Sequence, residues 1–418
     1  MTGMESALHI LMGFTFSILR SNIYRIRSII QAYRFPVILA LSIRVGISLW
    51  MALVWVIVEP YFPSTPVAYL STYGNLTPLS NLIGRSLFDV WLRWDAVHYM
   101  NIARIGYEGV GIGDTNFLPL YPYVVLILKN IFPMPEVISG LIVSTIACII
   151  AFIAFYKLVL LLFCNEQLAR WTIIIWGIYP TSLFLFAPYT DSLYAALTIL
   201  CLLFLESQNW LLTGMFAMFA GITRTQGALL VFPIATKILC IIKSMNFRHA
   251  IQPMIALILA PFGFILYNIW RYQRGISTLI ESYDSYSKIV FIDPLRGLLS
   301  AVVFAINTRD WLSITEALSL ILFLAISVWL FFSHEFRRKY SLLAYNSVTL
   351  LLFLSKHNLL TTPIQSANRY VLSLYPAFIG LAFFLLQRSE RTRRIYMLSS
   401  LCGMIIASTL YVLWFFVG

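Results

Sequence analysis

The sequence predicts an all-α, polytopic membrane protein, and three observations carry that reading. Of its 418 residues, 60% are hydrophobic and only 11% charged, which is more apolar surface than a soluble core can hide. Several apolar runs exceed the roughly 18 residues that read as a transmembrane helix. The formal charge of +12 sits in short connections between those runs. Arg20, Arg25, Arg27 and Arg34 precede the first run, Lys237, Lys243 and Arg248 form a second group, Arg337, Arg338 and Lys339 a third, and Arg388, Arg391, Arg393 and Arg394 a fourth. Such clusters mark the cytoplasmic face. Nucleic-acid binding is therefore a poor explanation of the charge.

Residues 1–35 read as a cytoplasmic N-terminal segment. The weak apolar run 8–19 is followed by Arg20, Arg25 and Arg27, the pattern of an interfacial amphipathic helix rather than of a cleaved secretory signal. The first clear span is 36–58 and contains Arg44, a costly residue unless it snorkels or faces a polar cavity. Its place near the cytoplasmic end favours snorkelling. Residues 59–116, rich in Pro, Ser, Thr and Gly, form a large first outer loop. Within it, 82–106 has the spacing of one or two amphipathic helices lying on the membrane, with Trp91 and Trp94 at headgroup depth. Asn75-Leu76-Thr77 is a glycosylation sequon in that loop.

Further apolar runs follow at 117–132, 137–163, 171–187, 192–205, 210–222, 228–242 and 251–270, then, after a second outer loop region at 271–310, at 314–332, 342–354, 371–386 and 395–417. About 11–12 transmembrane or re-entrant helices result, several of them short for a core about 30 Å thick. Counting back from the basic loop at 237–248 puts the 133–136 turn outside, whereas counting forward puts it inside, so one segment is re-entrant or merged. The prime suspect is 117–132, which is short and carries Pro119 and Pro122. Cys148, Cys164, Cys201, Cys240 and Cys402 lie in or at the ends of apolar runs, with no disulfide framework or zinc spacing. The chain reads as a single integral-membrane domain.

Four polar interruptions stand at outer ends of spans. Arg93-Trp94-Asp95-Ala96-Val97-His98-Tyr99 places ionisable groups between apolar runs. Pro188-Tyr189-Thr190-Asp191-Ser192 offers Asp191 either as a helix cap or as a ligand. Thr223-Arg224-Thr225-Gln226-Gly227 puts a cation outside, against the charge bias; a phosphate or carboxylate partner fits, as does an ion pair with Asp191 or Glu206. Gln365-Ser366-Ala367-Asn368-Arg369-Tyr370 supplies a second outer arginine, with His357 nearby.

The stretch 93–99, followed by Ile102-Ala103, Gly106-Tyr107 and Asn116-Phe117-Leu118-Pro119-Leu120-Tyr121-Pro122, resembles the first-loop signature of the PIG-V family, the second mannosyltransferase of GPI-anchor synthesis and its prokaryotic relatives. Ala187-Pro188-Tyr189-Thr190-Asp191-Ser192-Leu193-Tyr194-Ala195, Thr223-Arg224-Thr225-Gln226-Gly227 and Asn368-Arg369-Tyr370 resemble that family's later segments in the same order. The glycine-rich run 108–114, Leu118 in place of an aromatic, and the lack of large insertions favour a prokaryotic relative.

The resemblance implies a GT-C-type fold, a catalytic carboxylate in the first outer loop, and a sugar on a polyprenyl phosphate as donor. Asp95 is then the general base that takes the proton of an acceptor hydroxyl. Direct attack on a phosphate-linked sugar inverts the anomeric centre. Arg93, His98, Tyr99, Tyr189, Asp191, Arg224, Gln226, Asn368 and Arg369 are the candidate substrate-binding residues, with Arg224 and Arg369 at the donor phosphate and His98 orienting Asp95 or binding the acceptor. A blander role for Asp95 is pairing with Arg93 or Arg104. No Asp-x-Asp motif appears, so no cofactor or metal is indicated. Arg271, Tyr272, Arg274, Tyr283, Asp284, Tyr286 and Lys288 could stack on an acceptor sugar, although a solvated loop is commoner. The partners are a polyprenyl-phosphate sugar, a lipid or glycan acceptor and membrane lipids. The expected location is the plasma membrane with the site outside in a prokaryote, or the endoplasmic reticulum membrane in a eukaryote. A different polyprenyl-phosphate sugar, a lipid transporter and a non-catalytic subunit of a membrane complex are the other readings.

Overall fold

A computed structural model describes residues 33–58, 60–61, 76–242 and 247–418. The amphipathic run at 8–19 and Asn75 of the sequon lie outside the described residues. The described chain is helical apart from one two-stranded ribbon. Helix α1 is Tyr33–Val58. The first outer loop contributes α2 (Leu82–Leu87) and α3 (Asp95–Ile105), and then come α4 (Leu120–Ile131), α5 (Glu136–Phe163), α6 (Glu166–Gly177), α7 (Asp191–Glu206), α8 (Trp210–Thr223), α9 (Val231–Ile241) and α10 (Phe247–Gln273). The second outer region folds as α11 (Leu279–Ser287), β1 (Ile289–Phe291) and α12 (Pro294–Thr308). The chain closes with α13 (Trp311–Phe332), α14 (Tyr340–Ser355), β2 (Lys356–Asn358), α15 (Ala367–Tyr370), α16 (Tyr375–Leu386) and α17 (Glu390–Val412).

The long apolar helices α1, α5, α10, α13 and α17 have the length and hydropathy to cross a bilayer. At 1.5 Å per residue the 28 residues of α5 exceed a core about 30 Å thick. Small residues let these helices approach closely, as expected where lipid rather than water is the solvent. A Cβ on Gly263 of α10 would stand 2.2 Å from the carbonyl oxygen of Met218 on α8.

Side-chain contacts fix which helix ends share a face. Arg170 at the start of α6 lies 5.0 Å from the Phe35 ring at the start of α1, and Lys339 lies 5.5 Å from Phe163 at the end of α5. Lys237 of α9 binds Glu206 of α7 at 2.6 Å, and Ser341 of α14 donates to the same carboxylate. These contacts gather Arg170, Lys237 and Lys339 at one end. Asp95, Asp191, Arg224, Lys356 and Arg369 gather at the other.

This arrangement resolves the topology conflict. Helix α4 begins against the Asp95 end at Phe117 and Leu118, and Lys129 in its last turn pairs with Glu136 at the outer end of α5. Both of its ends therefore lie at the Asp95 end of the bundle. Its 12 residues are too few to cross, and Pro119 caps it while Pro122 sits in its first turn. Helix α12, in the stretch expected to be outer loop, behaves alike: Gly297 abuts the Leu354 carbonyl near the outer end of α14, and the following Trp311 and Thr315 lie beside Asn368. With α4 and α12 set aside, the remaining long helices alternate in direction, and Lys237, Lys339 and Arg393 lie at the end away from Asp95, as the positive-inside pattern predicts for an inner face.

Three expectations need correction. Trp91 does not face the membrane surface but is fully buried in the protein, because the loop around it folds into the helix bundle. Arg44 does not snorkel: its Nη1 donates to the Phe186 carbonyl at 2.7 Å and its guanidinium lies 4.6 Å from the Trp91 ring, tying α1 to the outer loop. The apolar run 371–386 is not one continuous helix, since Ala367–Ser373 meets α16 at 84°, with Pro376 in the first turn of α16.

Candidate active site

The outer ends of α3, α8, α14 and α15 enclose a cavity of about 220 Å³. Asp95 opens α3, and the residue before it, Trp94, has φ +50°, a left-handed conformation costly for a bulky side chain. Ser366, three residues before Arg369, is likewise left-handed at φ +68°. Glu316 of α13 accepts the Ser366 backbone N–H at 2.7 Å and secures that turn. Both arms of the site thus leave from a strained residue held by packing.

Arg369 is the centre of a buried charge network. Its Nε donates to both oxygens of Asp191 at 3.0 Å, Nη2 donates to Asp191 Oδ2 at 2.6 Å, and Nη1 donates to Asp95 Oδ2 at 2.6 Å. Arg224 Nη1 donates to Asp191 Oδ1 at 2.7 Å. The rings of Tyr189 and Phe184 flank the Arg369 guanidinium at 4.6 and 5.0 Å. Asp191 is 4% exposed and Arg369 5%, but Asp95 is 32% exposed. Asp95 Oδ1 carries no hydrogen bond among the described residues, so one oxygen is anchored and the other is left without a protein partner at the cavity.

Lys356 completes the lining. Pairing of Phe291 with Lys356 in the β1–β2 ribbon sets its position. Its Nζ donates to the Tyr370 hydroxyl at 2.9 Å and sits over the rings of Tyr283 and Tyr370 at 5.5 and 4.7 Å. No carboxylate lies within ion-pair distance of it among the described residues. Burial works against its charge, but the Tyr370 and Tyr283 hydroxyls outweigh that and hold its pKa above the ordinary lysine value. Three cations and two carboxylates leave the site with net positive charge.

The predicted residues separate into distinct places. Asp95, Tyr99, Arg224, Gln226 and Arg369 line the cavity. Burial pushes the Tyr99 phenol up, so it stays a neutral hydroxyl, 3.2 Å from Thr190 Oγ1. Tyr189 and Asp191 stand behind the lining, Tyr189 donating to the Arg93 carbonyl at 2.8 Å. Asp191 does not cap α7 through its side chain; the two arginines claim it.

Arg93, His98 and Asn368 do not point into the cavity. Arg93 donates to the carbonyls of Asp89 and Val412 at 3.2 and 3.3 Å and lies 4.4 Å from the Trp414 ring. The turn at Trp94 sends it away from Asp95, and the partner of Asp95 is Arg369 rather than Arg93 or Arg104. His98 Nδ1 donates to Asp114 at 2.6 Å and its ring stacks on Phe117, 4.7 Å between centroids, so it clips the loop rather than orienting Asp95. Burial disfavours its charged form, yet the hydrogen bond to Asp114 and the charges of Asp114 and Asp95 outweigh it and raise its pKa. Asn368 faces the opposite side, accepting from Ser319 at 2.6 Å and donating to Thr315 at 3.0 Å, where it lines a separate, mostly apolar cavity of about 500 Å³ between α13 and α17.

The second outer region is helical and anchored at Arg271 and Tyr283, while Tyr272, Arg274, Asp284 and Lys288 are exposed, as expected of a solvated segment. Arg271 is fully buried and donates to the carbonyl and hydroxyl of Thr115 and to the Ser277 carbonyl. Helix α11 brings Tyr283 into the cavity wall. Sequence reasoning missed Lys356; a lone cation at the outer end of an apolar run, the signal that drew attention to Arg224, was there to find it.

A sequence model of the mannosyltransferase (PIG-V) family matches residues 36–274, more than half of the chain, including the segments of Asp95, Asp191 and Arg224. GPI mannosyltransferase 2 of Schizosaccharomyces pombe is 31% identical over 154 residues, 36% of this chain and 32% of that protein, so the match spans about a third of that relative's length. Among solved structures, ArnT from Cupriavidus metallidurans bound to undecaprenyl phosphate superposes with a TM-score of 0.50 at 14% identity, covering 77% of this chain and 62% of that one. That likeness is one of fold, the GT-C type.

Proposed function

The chain belongs to the PIG-V mannosyltransferase family, and from that premise we propose that it transfers mannose from a polyprenyl-phosphate (dolichyl-phosphate type) donor to a lipid-linked or glycan acceptor at the outer or lumenal face of its membrane. The observation that carries this reading is the pairing, in one cavity, of a half-anchored carboxylate with an excess of cations. Asp95 Oδ1 accepts the proton of the acceptor hydroxyl as that oxygen attacks the anomeric carbon. The cations receive the phosphate that leaves from the opposite side, so the configuration at that carbon inverts. Undecaprenyl phosphate in the ArnT structure supports a donor of this chemical class.

A metal has no part in this scheme, because the cavity's own cations supply the positive charge. The active face is the outer surface of the plasma membrane in a prokaryotic host and the lumen of the endoplasmic reticulum in a eukaryotic one. The test is transfer of labelled mannose from synthetic polyprenyl-phosphate mannose to a lipid extract by purified wild type and by Asp95→Asn. Transfer by the wild type alone supports the reading. Equal transfer by both removes Asp95 from the mechanism, and transfer by neither, but from another polyprenyl-phosphate sugar, replaces mannose.

A further inference from the structure

We infer that the two outer arginines do different work: the donor phosphate is received by Lys356 and Arg224, while Arg369 is a positioning residue for Asp95. The inference rests on the function proposed above and divides its cationic site into two parts.

The two arginines differ in how many hydrogen-bond donors they leave unspent. Arg369 commits Nε, Nη1 and Nη2 to Asp191 and Asp95, is 5% exposed, and has its charge matched by those two carboxylates. A phosphate reaching it would have to displace a carboxylate from a buried pair, which strands that carboxylate. Arg224 spends only Nη1, on Asp191, and its Nε and Nη2 carry no hydrogen bond among the described residues. It is the more exposed of the two arginines, at 14% against 5%. Lys356 spends one of three N–H donors on Tyr370 and faces no carboxylate. Arg224 also lies 5.5 Å from the Tyr370 ring, so Lys356 and Arg224 flank that tyrosine on the cavity wall.

The chemistry rewards this division. As the acceptor oxygen bonds to the anomeric carbon, the bond from that carbon to the phosphate oxygen breaks and its electron pair leaves with the phosphate. The hydroxyl proton passes to Asp95. The phosphate enters as a diester with one negative charge and leaves as a monoester with two, so cations that still have free N–H donors bind it more tightly as the reaction proceeds. Arg369 instead fixes Oδ2 of Asp95, leaving Oδ1 to take the proton.

The test measures binding and turnover separately, on the full-length protein in detergent. The binding probe is a short-chain polyprenyl phosphate without sugar, titrated calorimetrically; the turnover assay is single-turnover mannose transfer. Lys356→Gln is expected to weaken binding by roughly tenfold or more, with Lys356→Arg restoring most of it. Arg369→Lys is expected to leave binding near the wild-type value while slowing transfer by roughly a hundredfold. Thermal melting confirms folding. Wild-type binding by Lys356→Gln, failure of Lys356→Arg to restore it, or equal loss by Arg369→Lys would overturn the division of labour while leaving the proposed function standing. A wild type that neither binds the probe nor transfers from any polyprenyl-phosphate sugar would overturn both.

Discussion

Asp95 and Arg369 are 274 positions apart in the chain and 2.6 Å apart in the fold. One sits at the first turn of a helix in the outer loop, the other beside the break in a late span, and their ion pair closes the cavity between them. Because Asp95 gives Arg369 only one oxygen, Asp95→Asn preserves the shape and can preserve that hydrogen bond through its amide oxygen. The expected result is a folded protein with transfer reduced by at least about a hundredfold, the range of a general base. Melting temperature and transfer rate, measured on one preparation, check the two halves.

Asp191 differs in kind. It accepts from two buried arginines and lies behind the cavity lining. Asp191→Ala leaves Arg224 and Arg369 without their shared counter-charge, so both stability and activity are expected to fall. Removing one partner of a buried pair costs about 3–5 kcal/mol. Thermal unfolding in detergent should show the larger loss for Asp191→Ala and a small one for Asp95→Asn. The reverse order would mean that Asp95 carries the fold and Asp191 the chemistry.

These two residues also show what could be read before the fold was known. Both stand out in sequence as polar breaks between apolar runs, and so do Arg224 and Arg369. Their pairing was not legible, because Asp95, with Arg93 two positions away, finds its partner 274 positions away. The left-handed turn at Trp94 separates Arg93 from Asp95, and nothing in a bulky aromatic announces such a turn. Arg44 and Trp91 are residue types that usually sit at an interface, whereas here the guanidinium packs over the indole ring in the interior. Helix α12 was hidden because an apolar stretch of 15 residues resembles a loop with hydrophobic residues when judged by spanning length.

The clip between His98 and Asp114 makes the first outer loop sensitive to pH. The folded-state pKa of His98 is raised, so its contribution is fully present below the ordinary histidine value near 6.5 and is lost as pH rises through the elevated folded value. His98→Gln should therefore lower the melting temperature at acidic pH, and the gap to wild type should narrow as pH rises. A gap that widens with pH would show that His98 acts as a neutral ring through its stacking on Phe117 instead.

Gly227 sits where the chain turns from α8 past Arg224. A Cβ there would lie 2.2 Å from the Ala220 carbonyl carbon and 2.3 Å from the Gly221 nitrogen, both backbone atoms that cannot swing aside. Gly227→Ala is expected to push the turn outward, move Arg224 from Asp191, and cost about 1–3 kcal/mol or more. Loss of melting temperature together with weaker polyprenyl-phosphate binding is the expected pattern. Undiminished binding would place Arg224 outside the phosphate site.

Charge supplied by side chains also predicts how transfer responds to chelators. A divalent cation beside the donor phosphate would need oxygen ligands, and the carboxylates near the cavity are spoken for. Asp191 gives both oxygens to arginines, Asp95 gives one to Arg369, and Asp114 accepts from His98. Among the described residues no group of three or more His, Cys, Asp or Glu side chains is arranged to hold a metal ion. A cation would also meet Lys356 and Arg224 at close range and be repelled by them. Transfer is therefore expected to proceed at an unchanged rate in excess EDTA. A loss of activity that magnesium or manganese restores would mean that the donor brings its own counter-ion, and that Lys356 and Arg224 orient the phosphate without carrying its developing charge.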